Sequence, residues 1–261
     1  VYAWQNRPLL PFYTFLFIDC LYVPMKTDRA LKQKAVYVIL GYDINGEKDI
    51  LGIWINETEG KHTWMQIFDE IKNRGVQDIG FISMDGVSGL EEGAAAIFPG
   101  TVVQRCIVHL IRNSMRYIPW NKSREFLKEL KEIYKATNVA EARRLFEKFK
   151  GKWAAYPGAI AVWKNNFQHV EQLFNYGSNV RRVMYTTNAI ESINSSFRKV
   201  TRKGSFANDE AILKLLYLRV LELKNTKWKG KGKVFNWQAV MNQLLIDERM
   251  SKLIAKYDWL I

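Results

Sequence analysis

The sequence predicts an α/β protein in which a sheet of mixed strand direction is interrupted by an all-helical segment before the last helices. Three observations carry this prediction. The chain opens on three apolar, strand-like runs, the segments up to residue 104 follow the order βββαβαβ, and the periodicity turns purely helical after Cys106. A chain of 261 residues can bury a sizeable core, and 48% hydrophobic residues with only six prolines is the composition of an ordered protein.

Residues 12–23 are almost continuously apolar or aromatic, the pattern of a strand buried on both faces. Runs at 35–42 and 50–55 follow, separated by Asp43-Ile44-Asn45-Gly46, whose Asn-Gly pair suits a hairpin turn. Trp64, Ile67, Phe68 and Ile71 stand at helical spacing and predict a helix over 61–74, closed by Gly75. A fourth strand at 79–83 runs into Asp85-Gly86, a short helix reaches Ile97, and 101–104 makes a fifth strand.

Beyond Cys106, Phe126, Leu127, Leu130, Ile133 and Tyr134 share one face of a helix over 124–134. Asn138 and Glu141 form a capping-box signature ahead of Leu145, Phe146 and Phe149. A further helix runs through Val162, Trp163, Phe167, Val170 and Phe174. After Thr187 come a helix through Arg198, another over 209–223 and a last one from Asn236 to about Tyr257. Residues 224–233 carry five lysines and two glycines and read as a mobile basic loop. The expected organisation is a first part of the core at 1–122, a helical insertion at 123–176, and completion of the core with basic helices at 177–261.

Two cysteines, Cys20 and Cys106, make no disulfide framework, and no signal peptide opens the chain, which points to a reducing cytosol. The most apolar stretch, 9–25, is broken by Pro11 and Asp19 and falls short of the ~20 apolar residues of a spanning helix, so no membrane segment is expected. The chain begins with Val1 and not methionine, which leaves room for a longer product. The net charge of +13 is unevenly placed. Residues 1–100 hold nine Lys and Arg against 13 Asp and Glu, and residues 101–261 hold 30 against 13. Such a basic half suits a polyanion, nucleic acid first, because cations gain affinity by displacing condensed counterions; a merely soluble basic surface is the competing reading.

Asp19 lies in an apolar strand, Phe15-Leu-Phe-Ile-Asp-Cys-Leu-Tyr-Val23, where a carboxylate is costly unless a partner or a metal ion offsets its lost hydration. Pairing with a distant lysine is the alternative. Asp85 directly follows a strand, where α/β sheets gather ligands, although Asp-Gly is also common turn chemistry. Glu191 stands three residues after Asn188, so a capping box accounts for it as well as a site does. Cys106 and His109 share a helix face, but the few other soft ligands show no paired spacing, which disfavours structural zinc.

Four segments together resemble the IS256 (Mutator-like) family of transposases. They are Phe17-Ile-Asp-Cys-Leu-Tyr-Val23, Ser83-Met-Asp-Gly-Val-Ser-Gly-Leu90, Phe98-Pro-Gly-Thr-Val-Val-Gln-Arg-Cys-Ile-Val-His-Leu-Ile-Arg-Asn113 and Arg181-Arg-Val-Met-Tyr-Thr-Thr-Asn-Ala-Ile-Glu-Ser-Ile-Asn194, in family order. The resemblance implies an RNase H-like fold with an all-helical insertion before the last catalytic helix. It makes Asp19, Asp85 and Glu191 an Asp-Asp-Glu triad holding two Mg²⁺ (or Mn²⁺) ions for DNA cleavage and strand transfer. It also implies that Cys106 and His109 match a motif that handles DNA beside the active site, and that Trp163 stacks on an unpaired base. Arg112, Arg181, Arg182, Asn188, Arg198, Lys199, Arg202 and Lys203 complete the expected DNA-contacting set. The expected partners are transposon ends and target DNA, bound by a homo-oligomer in the nucleoid-containing cytoplasm.

Three departures stand out. Asn175-Tyr-Gly-Ser178 replaces the family's Tyr-Pro before the arginine pair, Arg202-Lys-Gly-Ser-Phe206 differs from the usual Arg-Gly-x-Phe-Pro, and the family's N-terminal end-binding region has no counterpart. A catalytically silent DNA-binding descendant is the alternative reading, and an RNase H-type nuclease acting on hybrids is a third that fits the fold but not the insertion.

Overall fold

The computed structural model describes residues 1–26, 31–56, 61–86, 89–185, 188–202, 205–226, 228 and 232–261, with the backbone alone at 31, 188 and 189. Two compact units emerge, Val1–Val103 together with Thr187–Ile261, and Gln104–Thr186.

The first unit opens with α1 (Tyr2–Gln5), which the sequence reading did not include, followed by β1 (Phe12–Lys26), β2 (Leu31–Tyr42), β3 (Lys48–Asn56), α2 (Lys61–Asn73), β4 (Asp78–Met84), α3 (Leu90–Ile97) and β5 (Val102–Arg105) in the order read from the sequence. The strands form one sheet in the order β3-β2-β1-β4-β5. β1 runs antiparallel to β2, which runs antiparallel to β3, while β1 and β4 are parallel.

The central strand β1 is apolar on both faces because both are covered. On one face Leu16, Ile18, Tyr37 and Ile39 pack with Trp64, Phe68 and Ile71 of α2 and Leu90 and Ala94 of α3. On the other, Phe15 stacks on Phe81 with ring centroids 5.1 Å apart. Between β2 and β3, Gly46 adopts φ +74°, and the Asp43 carboxylate accepts from the backbone N–H of Asn45 and Glu47, so the turn follows from its residues. Gly75, at φ +115°, ends α2 as expected. The edge strand β3 does not present a bare backbone. Gln5 uses its side-chain amide to bond both the N–H and the C=O of Ile53, and Arg7 donates to the carbonyl of Ile50.

The second unit holds α4 (Ile107–Met115), α5 (Trp120–Tyr134), α6 (Val139–Lys152), α7 (Pro157–Lys164), α8 (Phe167–Gln172), a 3₁₀ turn at Leu173–Asn175 and α9 (Ser178–Tyr185). It contains the segment 123–176 and extends beyond it at both ends. Phe126, Phe149 and Trp153 form an aromatic cluster at its centre. Asn138 caps α6 by accepting from the Glu141 N–H at 2.9 Å, while the Glu141 carboxylate turns to Arg144. The single helix expected through Val162 and Phe174 is instead broken between α7 and α8. Asn165 and Asn166 stand at the break, and Asn166 Nδ2 donates to the Val162 carbonyl at 2.8 Å, a local bond of the kind that competes with helix continuation.

The chain then returns to the first unit with α10 (Asn188–Thr201), α11 (Asp209–Asn225), α12 (Trp237–Leu244) and α13 (Glu248–Lys256). The single last helix expected after Asn236 is two helices, because Asp247 accepts from the Met250 N–H at 2.8 Å and starts a new one. These helices cover the second face of the sheet. α10 packs on β1, the Trp237 ring meets Phe15 edge-on at 6.3 Å, and the Arg249 guanidinium lies 4.9 Å over the Phe81 ring. Of the basic loop expected at 224–233, residues 227 and 229–231 lie outside the described residues, and Lys224 and Asn225 belong to the end of α11. Lys224 forms a 2.6 Å ion pair with Asp49. Among the described residues, no helix is long and apolar enough to cross a membrane.

Candidate active site

Asp19 occupies the middle of β1 on the face covered by α10, and it is 8% exposed. Its carboxylate is held by two donors. The Cys20 backbone N–H donates to Oδ1 at 2.9 Å, and the Asn194 side-chain amide donates to Oδ2 at 2.5 Å. Hydrogen bonds to the charged form compensate the hydration that burial removes, and they fix the rotamer of the carboxyl group.

Asp85 follows the strand that pairs with β1. β1 and β4 are paired in parallel as far as Ile18 opposite Met84, and Met84 is the last residue of β4. The next residues of the two strands are Asp19 and Asp85, one step beyond the last paired residues. Asp85 is half-buried and accepts from the Gly86 N–H at 2.7 Å, the turn chemistry its sequence suggested.

Glu191 arrives on α10. Ile190, Ile193, Asn194 and Phe197 are the buried stripe of that helix, each at most 2% exposed. Glu191 is half-buried and lies three residues before Asn194, on the same helical face and one turn from the residue that touches Asp19. The side chain of Asn188 is outside the described residues, so the expected cap on Glu191 and the DNA contact of Asn188 are too. Among the described residues, no group of three or more His, Cys, Asp and Glu side chains is assembled to hold a metal ion.

The donor chemistry nonetheless suits a hard divalent cation. Three carboxylates supply oxygen ligands only, which is what Mg²⁺ and Mn²⁺ prefer. Asn194, whose amide N–H donates to Asp19, keeps its Oδ1 buried with no hydrogen-bond partner. A buried orphan acceptor costs about 1–3 kcal/mol, so its persistence on a residue that touches the Asp19 carboxylate fits a place where an oxygen-seeking cation binds. Asn194 was not singled out in the sequence. The signal was there: one amide on the otherwise apolar stripe of α10.

The other expected contacts divide by exposure. Arg112, Arg182, Arg198, Lys199 and Arg202 are exposed, and Lys203 lies outside the described residues. Arg181 is half-buried, donates to the Ala136 carbonyl at 3.0 Å and lies 4.8 Å over the Phe174 ring; burial lowers its pKa. Three of the expected contacts are buried side chains. Trp163 is 0% exposed, donates through Nε1 to Ser114 Oγ at 3.2 Å and stacks on Tyr134, so neither face of its ring is open to a base. His109 lies in the first turn of α4 and Cys106 is its extended N-cap residue, and the two are 8% and 2% exposed.

The profile described as "Transposase, Mutator family" matches residues 1–230 of the chain. The transposase for insertion sequence element ISRM3 of Rhizobium meliloti is 42% identical over 229 residues, which are 87% of this chain and 57% of that protein. A probable insertion sequence transposase of Corynebacterium diphtheriae is 35% identical over 94% of this chain and 77% of its own length. The transposase for IS256 in transposon Tn4001 of Staphylococcus aureus is 30% identical over 76% of this chain and 52% of its own. The chain thus spans little more than half the length of several relatives it matches.

Proposed function

The chain belongs to the Mutator family of transposases, and from that membership we propose that it is the catalytic part of an insertion-sequence transposase. In this reading the sheet with α10 is an RNase H-like core, and Asp19, Asp85 and Glu191 are its metal-binding acids. The substrate is DNA, cut at the element's ends and joined through the freed 3′-hydroxyl to a target strand. One pair of observations supports the assignment: the β1–β4 register runs to the residues just before Asp19 and Asp85, and Asn194, one helical turn after Glu191, bonds to Asp19.

Each residue has a physical task. Asp19, nearly buried and gripped by two donors, offers a pre-oriented carboxylate that needs little rearrangement to take up a cation. Asp85, on the turn after β4, and Glu191, on the helix, approach from separate elements, so closing the sphere depends on small movements of α10 and of that turn. Asp19, Asp85 and Glu191 would hold Mg²⁺ or Mn²⁺, which would supply activation of the attacking oxygen and stabilisation of the leaving one. The exposed Arg198, Lys199 and Arg202, at the end of the helix that starts near Glu191, would bind the phosphates flanking the scissile bond.

The test is strand nicking and joining on a duplex carrying the element's end, with Mg²⁺, by the full-length protein and by Asp19→Asn, Asp85→Asn and Glu191→Gln. The expected result is loss of both reactions to the uncatalysed level in all three variants, with DNA binding retained. Activity equal to that of the parent in any one of them removes that residue from the triad.

A further inference from the structure

We infer that Asn194 is a positioning residue for the cation site, acting through Asp19 to lock α10 onto β1. The inference rests on the assignment of Asp19 proposed above and deepens it. Asn194 is fully buried on α10, and its amide donates to Asp19 Oδ2 at 2.5 Å across a sequence separation of 175 residues. A second donor to this carboxylate is its own chain neighbour, the Cys20 N–H, which orients the carboxyl group but ties it to no other element. The Asn194 bond therefore does what the local bond cannot, setting the height of α10 along β1. Glu191 is rigidly one turn away on the same helix, so the bond also sets how far the Glu191 carboxylate stands from Asp19.

The packing of α10 does not fix this height by itself. Ile190, Ile193 and Phe197 make non-directional apolar contacts, which hold a helix face against a sheet but specify its register weakly. An amide-to-carboxylate bond is directional, and in a dry setting it is strong. The amide also leaves Asn194 Oδ1 buried without a hydrogen-bond partner. Partners that orient a ligand in this way are worth about 10- to 100-fold in metal affinity.

The experiment is titration of the full-length protein with Mn²⁺ alone, read by the paramagnetic signal of the free ion, beside thermal melts. The proteins are the parent, Asn194→Leu, which keeps volume and loses the donor, Asn194→Ala as a second variant should leucine not fit, Asp19→Asn, and the Asp19→Asn/Asn194→Leu or Asn194→Ala double variant. Expected are a roughly 10- to 100-fold weaker Mn²⁺ site in the folded Asn194 variant, and a double variant no weaker than Asp19→Asn alone, because Asn194 works through the group already changed. Parent-like Mn²⁺ affinity in a folded Asn194 variant overturns the inference and leaves the Asp19 site standing. A loss that adds in full to that of Asp19→Asn assigns Asn194 an independent action and overturns it too. Parent-like affinity in Asp19→Asn overturns the cation site itself.

Discussion

At the scale of single residues, burial decides what a side chain is free to do. Trp163 and Asn194 are equally buried, yet they meet opposite fates. The indole satisfies its one N–H on Ser114 and spends the rest of its surface on packing, so its contribution is stability. The amide satisfies its donor on Asp19 and keeps an unpartnered oxygen, so its contribution is to a site. Trp163→Ala is therefore expected to cost about 3–5 kcal/mol in denaturant unfolding through the cavity it leaves. A Trp163→Ala protein as stable as the parent, yet weaker in DNA binding, would restore the base-stacking role that burial argues against.

At the scale of elements, ends were governed by caps and lengths by partners. Asn138, Asn208 and Asp247 each accept a backbone N–H three residues on, and each opens a helix. Asp247 has the larger consequence, because it divides what the apolar periodicity presents as one last helix into α12 and α13. Asp247→Ala is expected to lose about 1 kcal/mol of stability (range 0.5–2), seen as a lowered melting temperature; an unchanged melt would show that packing alone defines the break. β1 is longer than its apolar run because backbone partners continue where hydrophobicity stops. β2 pairs with it to Lys26, and Phe206 bonds the Lys26 N–H and the Pro24 carbonyl. Hydrophobic patterning reports a strand's burial, whereas its length is set by which backbone lies alongside.

At the scale of the whole molecule, packing groups the chain into two units, and charge groups it into an acidic first part and a basic remainder. The helical unit has its own aromatic core, which predicts that residues 104–186 expressed alone are helical by circular dichroism and melt cooperatively. A gradual, non-cooperative melt would mean the unit depends on the sheet for its fold. The basic remainder predicts salt-dependent DNA binding. Replacing both Arg198 and Lys199 by alanine should lower the slope of log affinity against log salt by about 0.9 for each phosphate that is no longer neutralised. An unchanged slope would place the phosphates elsewhere.

What the sequence determined by itself was local: the strand and helix order, the Asn-Gly turn, the Gly75 stop and the acidic residues worth suspecting. Periodicity, turn chemistry and capping are fixed by residues within one or two turns of each other, so they can be read along the chain. The register that ends one residue before Asp19 and Asp85, and the bond from Asn194 of α10 to Asp19, were decided only by the tertiary structure. They depend on strand register and on the height of a helix packed from far along the chain, and non-directional apolar contacts leave no local trace of either. Burial of Trp163, Cys106 and His109 was hidden for the same reason, because exposure is a property of the neighbours that folding brings and not of the residue itself.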